Sequence, residues 1–302
     1  MIDEVIDRKD QAVPRRSLGG PISYCSVSLK ALGYQPEIVT HVGDNFPKDY
    51  SELLKTKAGI DLEEWKSQGF KTTSYRIDRS KEHRELWLVF KCKELEMTDF
   101  DSYFSGQLRA DALVVDPVAN EVSLSLLQKL TKRFQKVFID SQGFVRQFSS
   151  DGGKVGIRQG LDISSLEGVS YLKTDLEEMS AWVGTDSKET GLQELSKFVK
   201  TILLTSGPST VEVYQRGALV LTATPFKVRV ADTTGAGDIM LSSFAARYCE
   251  TEDLEDSLRF ALSASTLAVR NFGIEKALLN KTEVEKSMHQ IKIERLRAIQ
   301  SS

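Results

Sequence analysis

Few of the residues that define disulfide-rich, metal-binding or membrane-spanning proteins occur in this 302-residue sequence. Its three cysteines, Cys25, Cys92 and Cys249, are widely spaced, which fits reduced thiols in a cytosolic protein better than a disulfide framework. The three histidines are also far apart in the sequence, so a histidine-based metal site is not expected. No apolar run approaches the roughly 20 residues of a membrane-spanning helix. These absences predict a cytoplasmic protein without a membrane partner.

A P-loop for phosphate binding is also absent, because the pattern G-x-x-x-x-G-K-[ST] occurs nowhere in the chain. The net charge of −3 provides no basic surplus for binding nucleic acid. The acidic residues 1–7 lack the layout of a signal peptide. A hydrophobic fraction of 40% and a charged fraction of 27% are ordinary for a globular protein. We therefore expect residues 1–302 to form one large domain with a small β-sheet appendage.

Short apolar strands alternate with helices from Asp111 onward, and this pattern predicts a parallel sheet covered by helices on both faces. The predicted fold class is therefore α/β, with three α/β/α layers and a mostly parallel central sheet. The predicted strands cover residues 112–115, 136–139, 169–172 and 202–204, with a hairpin over 210–214 and 218–222. The predicted helices cover 21–32, 51–57, 123–134, 175–182, 192–199, 239–248, 253–269 and 282–300, and one further strand covers 37–42.

A second β-rich region covers about residues 70–95. Two β-like segments, 72–77 and 85–92, are joined by a polar turn over 78–83, which predicts a hairpin outside the main sheet. An edge hairpin of the core is the alternative. Since open strand edges favour pairing, this region could also cover a neighbouring subunit in a homodimer.

The segment Asp232–Asp238 reads D-T-T-G-A-G-D and lies between a β-rich run, 227–230, and the helical run that begins at residue 239. Small residues at a helix N-terminus expose backbone N–H groups, which can bind an anion. A carboxylate at Asp238 could accept a proton while these amides hold a phosphoryl group. On local chemistry alone, a glycine-rich helix cap with Asp238 favouring the helix dipole is equally consistent.

D-T-x-G-A-G-D resembles the signature of the PfkB, or ribokinase-like, family of carbohydrate and nucleoside kinases. The resemblance implies a ribokinase-like fold, a β-sheet lid, and ATP and Mg²⁺ as cofactors. It implies that Asp238 deprotonates the acceptor hydroxyl, and that Gly235, Ala236 and Gly237 form an anion hole. Thr234 is then expected beside the phosphates.

Two further segments match the family's nucleotide-binding elements in order along the chain. Asp175-Leu176-Glu177-Glu178 falls where the family has N-x-x-E, so the resemblance assigns Asp175 and Glu178 to ATP and, through water, to Mg²⁺. The alternative is that these acids only favour the dipole of the helix that they begin. Thr205 and Gly207 match a T-x-G turn that contacts the nucleotide.

The acceptor site is expected from residues near the start of the chain. Gly19 and Gly20 match the family's first diglycine, which lets the acceptor approach the backbone. Tyr24 stands where the family often has Asn, and this departure argues against a ribose-type pocket. Asp3 matches an acceptor-binding Asp that normally follows a buried strand, but only two residues precede it here. A true start upstream or a shortened first strand would explain this, and an absent strand would leave the acceptor site incomplete.

The predicted strands place Asp116, Asp140, Thr205 and Asp232 at their carboxyl ends, where open α/β sheets bind ligands. The run 140–146 adds the amide of Gln142 and the guanidinium of Arg146, which suit a polyhydroxylated ligand. This run and residues 116–122 resemble archaeal myo-inositol kinase-like members of the family.

We therefore expect ATP-dependent phosphorylation of a small polyol or sugar, with myo-inositol as the first choice of acceptor. A nucleoside or other sugar kinase of the same family is the alternative. A catalytically impaired sugar- or nucleotide-binding protein is an alternative of another class, since Asp175 replaces Asn and few residues precede Asp3.

Overall fold

The computed structural model describes residues 1–6, 14–80, 85–207 and 209–296. Its strands are, in chain order, β1 (Ile2–Ile6), β2 (Arg15–Leu18), β3 (Val42–Gly43), β4 (Lys66–Ser67), β5 (Ser74–Asp78), β6 (Glu85–Phe90), β7 (Leu113–Val115), β8 (Val137–Asp140), β9 (Arg146–Phe148), β10 (Val155–Ile157), β11 (Tyr171–Thr174), β12 (Thr201–Thr205), β13 (Val211–Gln215), β14 (Ala218–Thr224) and β15 (Lys292–Arg295). Its α-helices are α1 (Pro21–Ala31), α2 (Lys48–Ala58), α3 (Asp101–Phe104), α4 (Leu124–Thr131), α5 (Gln142–Val145), α6 (Leu176–Val183), α7 (Lys188–Leu195), α8 (Ala236–Thr251), α9 (Leu254–Ala268) and α10 (Lys281–Ser287).

A seven-stranded sheet in the order β15-β14-β13-β12-β11-β8-β7 forms the centre of the molecule. β7, β8, β11 and β12 are parallel to one another, and β13, β14 and β15 continue the sheet in antiparallel pairs. The parallel strands are short and apolar because helices cover both of their faces. The predicted α/β pattern is thus present.

Successive side chains of β8 contribute to two different hydrophobic clusters, as the period of two in a strand requires. Ile139 packs with residues of α4, α6 and α7, such as Leu126 and Met179. Phe138 packs with residues of α8 and α9, such as Phe244 and Leu258. These two clusters, one on each face of the sheet, confirm the predicted three layers.

A separate four-stranded sheet has the order β2-β1-β5-β6 and is called the lid sheet below. β1 runs parallel to β5 and antiparallel to β2, while β5 and β6 form the predicted hairpin. The prediction that this hairpin lies outside the main sheet is confirmed. Residues 81–83 of the turn predicted between its strands lie outside the described residues.

The helix predicted over residues 282–300 is wrong in its second half. α10 ends at Ser287, and β15 then pairs antiparallel with β14. The edge of β14 offers backbone hydrogen-bond partners, and Arg295 donates to Glu255 at 2.6 Å. These tertiary contacts outweigh the weak local preference for helix. Residues 297–300 of this prediction lie outside the described part of the chain.

Two predicted strands are mostly absent. Of the strand predicted over 37–42, only Val42 is in a strand, the two-residue β3, because residues 37–41 have no neighbouring strand among the described residues. Residues 227–230, predicted to be β-rich, belong to no strand. The segment that follows them is held instead by Ala231 and Asp232, whose amides donate to the carbonyl of Val269 at 2.8 and 3.2 Å.

Two predicted elements are displaced along the chain. The helix predicted over 192–199 is α7, Lys188–Leu195, which begins where the Ser187 hydroxyl accepts from the amide of Thr190. The strand predicted over 169–172 is β11, Tyr171–Thr174, so it includes Lys173. Within the described residues, no helix is long and apolar enough to cross a membrane.

Candidate active site

Three carboxylates meet at the carboxyl ends of the parallel strands. Asp116 follows β7, Asp140 ends β8, and Asp238 lies in the first turn of α8. One carboxylate oxygen from each lies within 4.8 Å of the others. The prediction that strand ends and the 232–238 turn share one edge of the sheet is therefore correct for these residues.

The 232–238 turn begins α8 with small residues because larger ones would not fit. Gly235 has a φ of 77°, in the left-handed region that favours glycine. A Cβ on Gly235 would collide with the ring of Tyr24. A Cβ on Gly237 would lie 2.9 Å from Lys173 Nζ, so the glycine allows the ammonium to approach the helix N-terminus. The Ala236 amide, expected from the sequence to be part of the anion hole, instead donates to the Thr233 carbonyl at 3.1 Å, because the chain already turns into the helix there. The amides of Gly235 and Gly237 lie beside the Lys173 cation, which suits an anion.

Asp238 has the environment of a general base. Its residue is 8% exposed. Burial, followed by the nearby charge of Asp140, raises the pKa of Asp238 to about 6, against the opposing charges of Lys173 and Arg146. A carboxyl with this pKa is ionised at neutral pH and is a stronger proton acceptor than an exposed one.

Lys173 and Asp140 form a buried ion pair in this site. Asp140 is 0% exposed, and the Lys173 ammonium donates to its Oδ2. Burial lowers the pKa of Lys173, but the charges of Asp140, Glu178 and Asp116 outweigh burial and raise it overall. The ammonium therefore remains charged and lies next to Gly237. The sequence prediction missed Lys173, although a lysine between Leu172 and Thr174 at the end of an apolar strand is a detectable signal.

Gln142 and Arg146, both predicted to bind the acceptor, are connected to each other and to Asp116. Arg146 donates to Gln142 Oε1 and to the carbonyl of Val118, both at 2.9 Å. Gln142 Nε2 donates to Asp116 Oδ1 at 3.3 Å. Burial, then Asp238 and Asp140, raises the pKa of Asp116 well above its usual range. Together these side chains form a polar row with donors and acceptors beside Asp238.

Asp175 and Glu178 form a capping box at the start of α6. The Asp175 side chain accepts from the Glu178 amide at 2.8 Å, and Glu178 accepts from the Asp175 amide at 3.2 Å. Burial, then Asp140, raises the pKa of Glu178 to about 8. Both acids therefore have the structural role that their position at a helix start indicates, while Glu178 also lies close enough to interact with Lys173.

Thr205 and Gly207 follow the same edge of the sheet. Thr205 ends β12, and its hydroxyl donates to the carbonyl of Thr174 at 3.2 Å. Gly207 is exposed and has a φ of 55°. Thr205 is thus the last residue of β12 and Gly207 follows it, and their contact with a nucleotide stays a prediction.

The predicted acceptor residues near the start of the chain are buried against one another. Asp3 lies in β1 of the lid sheet and is 2% exposed, and a Cβ on Gly19 would collide with its carboxylate. Gly20 has a φ of 85° where α1 begins. The Tyr24 ring is buried beneath Gly235, and burial, then Asp3, raises the pKa of its hydroxyl. Tyr24 thus supports the 232–238 turn from below.

Thr234 is held by the lid sheet. Its hydroxyl accepts from Arg79, the residue that follows β5, at 2.6 Å, and its amide donates to Asp232 Oδ1 at 3.0 Å. Arg79 also donates to Asp232 Oδ1 at 3.0 Å. The sequence prediction missed Arg79, because no local pattern brings a residue of the hairpin to this turn.

Comparison with known protein families agrees with this geometry. The family described as "pfkB family carbohydrate kinase" matches residues 10–280, which is most of the chain. The chain belongs to the pfkB family of carbohydrate kinases. This result confirms the resemblance that the D-T-x-G-A-G-D sequence indicates.

Individual pfkB relatives match over different lengths. Ribokinase from Bacillus subtilis (strain 168) is 34% identical over 93 residues, which span 31% of each protein. The bifunctional protein HldE of Coxiella burnetii (strain Dugway 5J108-111) is 22% identical over 285 residues, 90% of this chain and 56% of HldE. A putative 1-phosphofructokinase from Mycoplasma genitalium is 21% identical over 289 residues, 90% of this chain and 88% of that protein. The chain thus spans about a third of the ribokinase and about half of HldE.

Solved pfkB-type structures share the fold. Ribokinase from Thermotoga maritima has a TM-score of 0.74 at 21% identity, covering 95% of both chains. Fructokinase with bound ATP from Xylella fastidiosa has a TM-score of 0.74 at 18% identity, covering 96% of both chains. A pyrophosphate-dependent kinase in the ribokinase family, complexed with a pyrophosphate analog and myo-inositol, has a TM-score of 0.73 at 19% identity over 91% of this chain and 96% of that one. These similarities confirm the predicted ribokinase-like fold.

Proposed function

We propose that this pfkB family member transfers the γ-phosphoryl group of ATP to a hydroxyl of a small polyol or sugar. The observation that carries the proposal is a buried carboxylate, Asp238, with a raised pKa in the first turn of α8, where amides and the Lys173 ammonium favour an anion. A base and an anion site that share one helix turn suit proton removal and phosphoryl transfer in a single step.

In this reaction, Asp238 accepts the proton of the acceptor hydroxyl. The hydroxyl oxygen forms a bond to the γ-phosphorus, and the bond from that phosphorus to the β–γ bridging oxygen breaks, which releases ADP. The amides of Gly235 and Gly237, with Lys173, stabilise the negative charge on the transferring group. Positioning and charge stabilisation provide most of the catalysis in reactions of this type.

The residues at the start of α6 fit a hydrated Mg²⁺. Asp175 would supply a carboxylate oxygen, the kind of ligand that hydrated magnesium prefers. Glu178, whose pKa is raised to about 8, would supply a second one when a bound cation favours its ionised form. Each keeps one oxygen beyond the one used in the capping box. When bound, the ion would neutralise charge on the phosphates of the nucleotide. Thr205 and Gly207 would then contact the nucleotide from the ends of β11 and β12.

The polar row beside Asp238 supports a polyhydroxylated acceptor. Gln142 and Arg146 offer both donors and acceptors, and Asp116 extends the row toward Asp238. Asp3, Gly19 and Gly20 would border the acceptor on its other side. Myo-inositol is our first choice, because residues 116–122 and 140–146 resemble myo-inositol kinases and a kinase of similar fold is complexed with myo-inositol. Another sugar or a nucleoside is the alternative.

The lid sheet would cover the acceptor and exclude water, so that ATP is not lost to hydrolysis. The contacts of Arg79 with Asp232 and Thr234 support this role, because they join the lid sheet to the turn that holds the phosphoryl group. One edge strand of this sheet, β6, is already bridged to Lys154, and its Leu88 amide donates to the Gly153 carbonyl at 2.8 Å. The other edge strand, β2, is therefore the surface through which a homodimer would form, which light scattering tests.

An acceptor panel tests the proposed activity. The protein would be incubated with Mg²⁺, ATP and myo-inositol, fructose, ribose, 2-keto-3-deoxygluconate, cytidine or adenosine, while ADP release is measured. We expect the highest kcat/KM for myo-inositol. A parallel series with pyrophosphate in place of ATP tests the donor, since a protein of similar fold is pyrophosphate-dependent.

The other outcomes of the panel are distinct. A preference for cytidine or adenosine would assign a nucleoside kinase to the same site. Thermal stabilisation by an acceptor together with an ATP analogue, without turnover of any compound, would instead indicate a binding protein.

The pH dependence of turnover should report on Asp238. The base must be ionised, so kcat/KM is expected to fall as pH decreases through about 6. The titratable groups that act on Asp238 are Asp140, Asp116, Asp3, Lys173 and Arg146. A pH–rate profile between pH 5 and 9 would give the apparent pKa of the coupled carboxyls. A profile that is flat across pH 6 would contradict the role of Asp238.

A further inference from the structure

Lys276 is a buried lysine that the chemistry above does not use, and it lies directly beneath the 232–238 turn. Its side chain is 0% exposed. Its ammonium donates to Asp232 Oδ2 at 2.7 Å, to the Asp232 carbonyl at 3.1 Å and to the Thr234 carbonyl at 2.6 Å. A lysine ammonium has three N–H donors, so each donor here has one acceptor.

The direction of these contacts determines where the amides of the turn point. The structure has no cis peptide bond among its described residues. In a planar trans peptide the carbonyl and the following N–H point in opposite directions. Because the Thr234 carbonyl points at Lys276, the Gly235 N–H points away from it. The same holds for the Asp232 carbonyl and the Thr233 N–H.

Asp232 joins Lys276 to the rest of the site. Its Oδ2 accepts from Lys276, and its Oδ1 accepts from Arg79 and from the Thr234 amide. Burial by itself raises the pKa of Asp232, but Lys276, the Thr234 amide and Arg79 lower it to about 2. Burial lowers the pKa of Lys276, and Asp232 opposes that effect. The Lys276 ammonium also lies 5.6 Å from the centre of the Tyr24 ring, which supports Gly235.

We propose that Lys276 is a positioning residue for phosphoryl transfer, and that its ammonium acts as an internal cation that fixes the backbone of residues 232–234. This inference rests on the proposed function, because it assigns a purpose to the orientation of the anion-binding amides. Such amides stabilise charge only when they are held in place before the reaction. A misplacement of about 1 Å in a site of this kind can reduce the rate roughly 10²-fold.

Two substitutions separate the charge of Lys276 from its volume. Lys276→Met fills the space without a charge, while Lys276→Ala leaves a cavity that a small cation can enter. We expect both variants to lose about 10²-fold in kcat with little change in KM. Ammonium chloride should restore most of the lost kcat in Lys276→Ala and none in Lys276→Met. Tetramethylammonium chloride, which has no N–H donor, should restore the kcat of neither variant.

Lys286→Ala is the control, because Lys286 is exposed on α10 and its loss changes the net charge equally.

Hydrogen exchange provides a measurement that does not depend on turnover. Amides of residues 232–238 should exchange faster in Lys276→Ala than in the wild type, and ammonium should slow them again. If the wild type phosphorylates no acceptor, the proposed function fails, and the exchange result still tests Lys276. The inference would be overturned if Lys276→Met had the kcat of the wild type. It would also be overturned if ammonium changed neither the kcat nor the hydrogen-exchange rates of Lys276→Ala. If Lys276→Ala does not fold, the test rests on Lys276→Met: a kcat about 10²-fold below the wild type supports the inference, and a wild-type kcat overturns it.

Discussion

Replacing Asp238 with asparagine is expected to lower kcat by roughly 10²–10⁴-fold, because the variant cannot accept the proton of the acceptor hydroxyl. Asparagine has nearly the same shape, so the anion-binding amides of Gly235 and Gly237 should keep their positions. The Kd of an ATP analogue should therefore change little. Steady-state kinetics with the best acceptor of the panel, together with calorimetric binding of the analogue, would measure both effects.

The stability of the same variant is an internal control. The folded-state pKa of Asp238, about 6, lies above the ordinary value of 3.8 for an aspartate. The native state therefore binds a proton that the unfolded state releases, and the wild type loses stability as pH rises from about 4 to 6. Asp238→Asn lacks this titration, so its melting temperature relative to the wild type should increase over that range. Turnover close to the wild-type value in a well-folded Asp238→Asn protein would refute the assignment of the base.

Replacing Lys173 with methionine is expected to have the second large effect, on both stability and turnover. Asp140 is 0% exposed and receives the Lys173 ammonium, so the substitution leaves a buried carboxylate without its cation. Removing one partner of a buried ion pair typically costs about 3–5 kcal/mol. The variant also lacks the positive charge beside Gly237, so kcat should fall as well. Chemical denaturation and steady-state kinetics measure the two effects separately.

The double variant Lys173→Met/Asp140→Asn distinguishes the two roles of this lysine. Removing the unpaired carboxylate should recover much of the lost stability, because a neutral amide is less costly to bury than a charge. Turnover should stay low, since the cation beside the anion site is still missing. Recovery of kcat along with stability would show that Lys173 only balances the charge of Asp140.

The sequence predicted the parts of the fold that depend on local pattern. Short apolar strands such as Val137–Asp140 and their intervening helices were identified, because burial on both faces leaves a continuous apolar run. It failed where a partner from elsewhere in the chain decides the conformation. Lys292–Arg295 forms a strand because it pairs with the edge strand β14. Residues 37–41 form none, because no described strand lies beside them.

For the site, the sequence by itself determined the 232–238 turn, its glycines and the carboxylate of Asp238. Short-range geometry suffices for these, since a left-handed residue and a helix start are encoded by adjacent positions. Only the tertiary structure placed three cations around them: Lys173 from β11, Arg79 from the lid sheet and Lys276 from beyond α9. Charges interact through space and not along the chain, so only the folded structure shows which lysines and arginines lie close to this turn.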